Sequence, residues 1–139
     1  MTNPIRIVAA VIRDECGRVL LVRKRNTTRF MQPGGKLEGG EDRLPALARE
    51  LDEELGCACD VATARFLGDF TAPSANEPGH TVEAAVFAVR ITGTPAARAE
   101  IDEIVWLDVT QREPLELAPL TRDCVLPLVR AEACAGRRS

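Results

Sequence analysis

Three glutamates at helical spacing are the residues of this 139-residue chain best suited to chemistry. Glu50, Glu53 and Glu54 stand at positions i, i+3 and i+4, so on a helix their side chains converge on one face. Like charges at that spacing repel one another by roughly 0.2–0.5 kcal/mol per pair. A bound cation therefore explains three convergent carboxylates better than helix stability does. Hard divalent ions such as Mg²⁺ take oxygen ligands and commonly bind through carboxylates together with substrate phosphates.

The residues around these glutamates argue against a merely solvated acidic face. An acidic run on an arbitrary helix is most often exposed to solvent. Here Gly34 and Gly35 precede the run, and paired glycines let the backbone approach a ligand closely. Arg49 stands directly before Glu50 and can pair with Glu53 at i+4, which would hold a carboxylate in position. Together these features favour a binding site.

The stretch GKLEGGEDRLPALARELDEELGC resembles the Nudix box. That pattern is G, five residues, E, seven residues, R-E-U-x-E-E-x-G-U, where U is aliphatic. All nine fixed positions are met, with the cysteine the only loose match, and they are Gly35, Glu41, Arg49, Glu50, Leu51, Glu53, Glu54, Gly56 and Cys57. The resemblance implies a Nudix hydrolase. The short segment before the box, residues 1–34, is similar to that of MutT-type nucleoside triphosphate pyrophosphohydrolases.

The resemblance also implies a metal site. The principal Mg²⁺ ligands would be the three clustered glutamates, Glu50, Glu53 and Glu54. Mn²⁺ would be the substitute ion. The backbone carbonyl of Gly35 would join these ligands, and Glu41 would lie in an outer shell or complete a further ion site once substrate is present. Outside the box, Glu100 is a further candidate for this site.

The chemistry implied by the resemblance is attack of water on one phosphorus of a diphosphate bridge. Metal ions neutralise the phosphate oxygens and lower the pKa of the attacking water. A glutamate would act as general base, with Glu53 or Glu50 as the first choice and Arg49 in the same catalytic set. Some family members use a glutamate outside the box instead, and the candidates for that role here are Glu100 and Glu103.

Residues outside the box provide candidates for substrate binding. Arg23, Arg25 and Arg29 flank the glycine loop and could contact a terminal phosphate. Phe30 could reach the pocket, although the aromatics of this chain are more typical of core residues. His80 begins a strand beside a proline-rich loop, and a structural role at that strand end is the alternative.

Three functions are open on these residues. The first is hydrolysis of the diphosphate linkage in a nucleoside triphosphate or another nucleoside diphosphate derivative, releasing a nucleoside monophosphate. The second is an ADP-ribose or nucleotide-sugar pyrophosphatase, because Pro73 lies sixteen residues beyond Cys57, where ADP-ribose-cleaving Nudix enzymes tend to carry a proline. The third is a non-catalytic nucleotide-binding Nudix module. Such modules generally lose box glutamates, whereas this chain keeps every one.

Composition restricts the partners. The net charge is −3, with 45% hydrophobic and 28% charged residues, which is ordinary for a globular domain. No segment carries the clustered Lys and Arg that nucleic-acid polymers require, so a small nucleotide is expected instead. The five scattered cysteines are typical of a reduced cytosolic protein. The N-terminal apolar run is broken by Arg6, so neither a signal peptide nor a membrane span is expected, and the predicted location is cytoplasmic. A homodimer is left open.

Periodicity predicts the elements that must position the box. Residues 42–55 form a predicted helix with Asp42 as N-cap and Gly56 as the C-terminal glycine. Residues 117–133 form a second, with a kink at Pro127. The predicted strands cover residues 5–12, 18–24, 62–71, 81–91 and 103–109, with the first two paired as a hairpin. The fold class that follows is α/β, a Nudix-type α/β/α sandwich with a central mixed β-sheet. A single Nudix domain is expected over residues 1–135, with a flexible tail at 136–139.

Overall fold

The computed structural model describes residues 4–110 and 115–136, with side chains up to residue 132. The strands are β1 (Ile5–Val11), β2 (Val19–Lys24), β3 (Phe30–Met31), β4 (Gly34–Lys36), β5 (Ala58–Pro73), β6 (Thr81–Thr92) and β7 (Ile101–Leu107). Helix α1 (Arg43–Leu55) lies between β4 and β5 in the chain. After the last strand, a π-helical segment (Leu120–Val125) leads into helix α2 (Leu126–Gly136). Among the described residues, no helix is long and apolar enough to cross a membrane.

Two sheets occupy the centre of the molecule. β1 pairs in parallel with β6 and antiparallel with β4, and β5 completes a four-stranded mixed sheet in the order β4-β1-β6-β5. The other sheet is antiparallel, with three strands in the order β3-β2-β7. The predicted α/β fold with a central mixed sheet and helices is confirmed.

The hairpin predicted for the first two strands is wrong in its pairing. The chain does turn between them, where Asp14 N–H donates to the Arg18 carbonyl at 3.0 Å and Arg13 bridges Val19. Beyond that bridge β1 and β2 separate into different sheets. Each is an inner strand, β1 between β4 and β6 and β2 between β3 and β7, so each already uses both of its hydrogen-bonding edges.

Alternate residues of the inner strands face opposite helices. On β1, Val8 and Ala10 belong to a buried cluster with α1, whereas Ala9 and Val11 belong to a second cluster with the C-terminal helical elements. The helical members of the first cluster are Ala46, Leu47, Leu51 and Leu55. Those of the second are Leu120, Val125, Leu126 and Val129. Because side chains alternate along a strand, one continuous apolar run supplies both layers.

The ends of α1 follow from the residues around it. Asp42 has extended backbone angles (φ −70°, ψ 145°) directly before the first helical residue, as an N-cap does. Gly56 adopts the left-handed conformation (φ 69°), and its N–H donates to the Asp52 carbonyl at 3.0 Å. Pro45 lies in the first turn, where its missing N–H would have no partner within the helix. The predicted helix over residues 42–55 agrees with this observed helix to within one residue.

Other elements differ from the predictions at their ends. β5 is longer than the predicted 62–71 because it pairs with β6 through two register shifts, which sequence alternation does not reveal. β7 begins two residues earlier than the predicted 103–109. The C-terminal helical run begins at Leu120, and Leu126 N–H donates to the Thr121 carbonyl in its π-helical part. That wider turn lies directly before Pro127, whose ring crowds the carbonyl four residues earlier. Residues 137–139 of the predicted tail lie outside the described residues.

Truncation of the apolar face of α1 tests this packing. Leu51 is fully buried between α1 and the sheets, so Leu51→Ala should lower the free energy of unfolding by about 2–5 kcal/mol. Asp52→Ala, on the exposed side of the same helix, is the matched control and should change it by less than about 0.5 kcal/mol. Urea denaturation measures both, and equal effects would mean that α1 packs on another face.

Candidate active site

The segment at the start of β4 brings main chain against the carboxylates of α1. The N–H of Gly34 donates to Glu54 Oε1 at 3.2 Å. At Gly35, a Cβ atom would collide with the Glu50 carboxylate. Gly34 has a φ of 152°, and a Cβ there would collide with the carbonyl of Val8. Glycine is therefore required at both positions for this close approach.

Arg49 connects three carboxylates on the surface of α1. Its guanidinium contacts both oxygens of Glu41, with 3.0 Å between Nη2 and Oε1, and its Nη1 donates to Glu50 Oε1 at 3.0 Å. The expected pair with Glu53 is present but longer, with 3.7 Å between Nη1 and Oε1. The backbone N–H of Glu38, followed by the Arg49 guanidinium, lowers the pKa of Glu41. Arg49 therefore holds Glu41 and Glu50 in place, and its charge acts to lower the pKa of both.

The three box glutamates lie in different environments. Glu54 is buried, with 8% of its surface exposed, and burial raises its pKa from 4.5 to about 7. The Gly34 N–H and the charge of Lys24 oppose that rise. Burial also raises the pKa of the half-buried Glu50. The side chain of Glu53 is 55% exposed, so its carboxylate remains accessible to water.

A cavity of about 110 Å³ lies beside Glu54, whereas Glu50 and Glu53 are not among the residues that line it. Lys24 and Glu54, next to the main chain of Gly34 and Gly35, form what we call its charged end. A second charged pair, Lys36 and Glu77, also lines the cavity, with 3.1 Å between Nζ and Oε1. Residues 73–77, at the end of β5 and in the loop that follows, form another part of the wall. Most of the remaining lining is apolar, and it includes Ile7, Val8, Val22, Met31 and Leu120. The cavity thus combines a charged end with an apolar body, as sites for small polar ligands commonly do.

The arginines predicted to bind phosphate are not among the residues that line this cavity: Arg23, Arg25 and Arg29. Arg23 lies on the opposite face of β2 from Lys24, because side chains alternate along a strand. Its guanidinium already pairs with Asp102 at 2.9 Å and with Glu103 at 3.2 Å. The structure therefore places Lys24, and not these arginines, at the charged end, while phosphate binding by the arginines stays a prediction.

Of the remaining predicted site residues, Phe30 and His80 do not line the cavity, whereas Glu100 lies near Glu54. Phe30 is 5% exposed and belongs to the cluster with the C-terminal helical elements, so its ring packs in the core. His80 is absent from the cavity lining, and its backbone bonds to Ser74 and Glu77 hold the loop before β6. Glu100 is exposed but close enough for its charge to raise the pKa of Glu54, so it lies near the box.

Two residues at the cavity were missed by the sequence reasoning. Lys24 could have been found from strand alternation, since it shares a face with Leu20 and Val22, which pack on the α1 side. Gln32 is 5% exposed between the strand β3 and Pro33. No local pattern indicates that a glutamine at that position is buried.

The NUDIX domain family model matches residues 3–128 of this chain. A Mycobacterium tuberculosis H37Rv protein, provisionally named 8-oxo-dGTP diphosphatase 2, is 32% identical over 136 residues, which cover 94% of this chain and 91% of that protein. A MutT structure described for Aliivibrio salmonicida and Vibrio cholerae has a TM-score of 0.73 at 23% identity, covering 94% of this chain and 99% of that one. An ADP-ribose pyrophosphatase from Streptococcus suis has a TM-score of 0.70 at 20% identity, covering 94% and 92%.

The chain therefore belongs to the Nudix hydrolase family. The prediction of a MutT-like Nudix pyrophosphohydrolase that acts on a small nucleotide is confirmed. The MutT structure and the structure named as an ADP-ribose pyrophosphatase share the fold with this chain at nearly equal TM-scores. The fold alone therefore does not select between the substrates.

Nudix hydrolases generally use divalent metal ions, and the oxygen donors of this site fit such an ion. The raised pKa values of Glu50 and Glu54 mean that their charged forms are poorly compensated by the protein alone. Across residues 4–110 and 115–132, no three His, Cys, Asp or Glu side chains form a group that could hold a metal ion. A hard ion that keeps several waters and binds through one or two carboxylates plus substrate phosphates needs no such group. Among the predicted ligands, the Glu50 carboxylate lies directly against Gly35, and Glu54 accepts from the neighbouring Gly34 N–H.

The buried carboxyl predicts how stability depends on pH in the metal-free protein. Because the pKa of Glu54 is higher in the folded than in the unfolded state, folding favours the protonated form. The free energy of unfolding should therefore fall as pH rises from about 4.5 to 7, by about 3 kcal/mol from this group. Thermal melts with EDTA between pH 5 and pH 8 measure this loss.

Glu54→Gln should remove most of that pH dependence, because the amide keeps the shape of the side chain and cannot ionise. Glu53→Gln, which changes an exposed carboxylate, should keep it. A Glu54→Gln variant whose melting temperature still falls like that of the wild type would show that another group titrates.

Proposed function

We propose that this chain is a cytoplasmic, Mg²⁺-dependent hydrolase of nucleoside triphosphates, including oxidised purine nucleotides. The products would be a nucleoside monophosphate and pyrophosphate. The observation that carries the proposal is the position of Glu54 and the glycine pair at the charged end of an otherwise mostly apolar cavity. The Mycobacterium tuberculosis relative, by its name, supports a triphosphate substrate.

The cavity suggests how such a substrate would lie. The phosphates would face Lys24, whose ammonium is a compact charge for phosphate oxygens, and the main chain of Gly34 and Gly35. The base would occupy the apolar body, against side chains such as Met31 and Leu120. This orientation places the diphosphate bridge beside the carboxylates of α1.

Each box residue then has a separate task. Glu50, Glu54 and the Gly35 carbonyl would hold the Mg²⁺ ions, which neutralise phosphate oxygens and lower the pKa of the attacking water when bound. Arg49 keeps Glu50 in position through its 3.0 Å contact. Glu53 is the proposed general base, because its carboxylate is both accessible to water and adjacent to the other ligands.

The reaction balances without any other reactant. The water oxygen forms a bond to one phosphorus, its proton passes to the Glu53 carboxylate, and the bridging P–O bond breaks. The electrons of that bond leave with pyrophosphate, and the base later returns its proton to solvent.

A second candidate function is an ADP-ribose or nucleotide-sugar pyrophosphatase. The specific observation in its favour is that Pro73 and the loop through Glu77 line the same cavity. That wall could shape a pocket for a second sugar in place of a terminal phosphate. A non-catalytic nucleotide-binding module is disfavoured because all of the box glutamates are present.

The role of Glu53 is tested by removing its charge at nearly constant shape. Glu53→Gln should lower kcat by about 10²-fold or more, since general-base catalysis contributes about that much, while the melting temperature stays at or above that of the wild type. Asp52→Asn makes the same change of charge at the exposed neighbouring position and should keep full turnover. If Glu53→Gln turns over within a few-fold of the wild type, Glu53 is neither base nor ligand.

A substrate panel separates the candidate functions. Nucleoside triphosphates (including 8-oxo-dGTP), ADP-ribose, nucleotide sugars and dinucleoside polyphosphates are assayed with Mg²⁺, and kcat/KM is compared. We expect the triphosphates to lead and to yield pyrophosphate. Much faster cleavage of ADP-ribose would establish the second candidate, and tight binding without turnover of any compound would establish the binding module.

A further inference from the structure

Gln32 carries a hydrogen-bond donor that the protein does not use. Its side chain is 5% exposed, and the Thr121 hydroxyl donates to its Oε1 at 2.8 Å. Within the described residues, its Nε2 has no hydrogen-bond partner. Buried polar groups in proteins are almost always paired, because an unpaired one loses its hydration without compensation. This orphaned donor therefore needs an explanation outside the core.

The cavity beside the box supplies that explanation. Gln32 and Thr121 both line it, together with Glu54 and Gly34 at its charged end. Thr121 is fully buried, and its carbonyl accepts from Leu126 in the π-helical segment, so its position is fixed by the fold. Since its hydroxyl engages Oε1, the amide presents its NH₂ group as the free donor.

We propose that Gln32 is a specificity-determining residue that donates from Nε2 to a carbonyl oxygen on the substrate base. Thr121 is the positioning residue that sets the orientation of the amide. The proposal rests on the function proposed above and narrows its substrate class to nucleotides whose base carries a carbonyl at this edge.

The chemistry of the bases makes the consequence specific. Guanine presents a carbonyl acceptor at C6, where adenine presents an amino donor, and the 4-position separates uracil and thymine from cytosine in the same way. A fixed donor pairs with the carbonyl but meets another donor in adenine or cytosine. A buried site built to hydrogen-bond one group rejects the analogue that leaves its own polar group unpaired.

The test compares dGTP with dATP as a matched pair of substrates. We expect the wild type to favour dGTP in kcat/KM. Gln32→Met has nearly the same volume and no donor, so it should lower the dGTP/dATP ratio about tenfold. The KM for dGTP should rise, and kcat/KM for dATP should not fall, because the donor that opposes the adenine amino group is removed. The variant also removes the acceptor of the buried Thr121 hydroxyl, so its melting temperature should fall whichever role Gln32 has. The deciding readout is therefore the dGTP/dATP ratio, which a purely structural glutamine predicts to be unchanged.

Thr121 provides a second, independent pair of variants. Thr121→Val keeps the shape but removes the hydroxyl, and it should lower the ratio by about threefold because the amide is no longer held. Thr121→Ser keeps the hydroxyl and should retain the ratio of the wild type. Loss of the ratio in both variants would mean that packing, and not the hydroxyl, positions Gln32.

Several results would overturn the role of Gln32. These are an unchanged ratio in Gln32→Met, an equal loss toward dGTP and dATP, and a wild type that favours dATP, which would mean that the amide presents its oxygen.

If neither triphosphate is cleaved, the proposed function has failed, and calorimetric binding of dGMP and dAMP decides about Gln32. A dGMP preference that Gln32→Met abolishes would keep the base-reading role, and equal affinities in the wild type would end it.

Discussion

The site depends on one close contact, that of the Gly34–Gly35 main chain with the carboxylates of α1. The Gly34 N–H bonds to Glu54, and only the missing Cβ of Gly35 leaves room for the Glu50 carboxylate. A larger residue at Gly34 would collide with the main chain of Val8, and one at Gly35 would displace the Glu50 carboxylate. Glycine at both positions therefore preserves the contact.

The same contact places function in competition with stability. α1 packs through a fully apolar face, yet Glu54 is buried along with it, and Arg49 is one cation shared among Glu41, Glu50 and Glu53. A domain selected for stability alone would avoid a desolvated carboxyl and three neighbouring carboxylates. Their presence is explained if bound metal ions compensate the negative charges of these carboxylates, which the protein's own cations do only in part.

Sequence reasoning could predict those parts of the site that are local in the chain. The box helix and its capping residues follow from 3.6-residue periodicity and from residue preferences near helix ends. The pairing of β1 could not be predicted, because β1 and β2 are both ordinary apolar runs in the sequence. The strands that pair with β1 are β4 and β6, which come later in the chain. Strand alternation puts Lys24 on the same face as Leu20 and Val22, but that this face meets α1 is known only from the packing of the layers.

The division between local and distant residues also explains how one fold serves different substrates. The residues proposed to hold the metal ions and activate water, from Gly35 to Glu54, lie within one short segment, so they stay together whatever surrounds them. The rest of the cavity is assembled from β3, the loop through Glu77 and the π-helical segment, and the Gln32–Thr121 bond joins residues 89 positions apart. Substitutions in those walls can change the ligand without disturbing the contact between the glycines and α1. Such an arrangement agrees with the nearly equal TM-scores of two structures with different names, MutT and ADP-ribose pyrophosphatase.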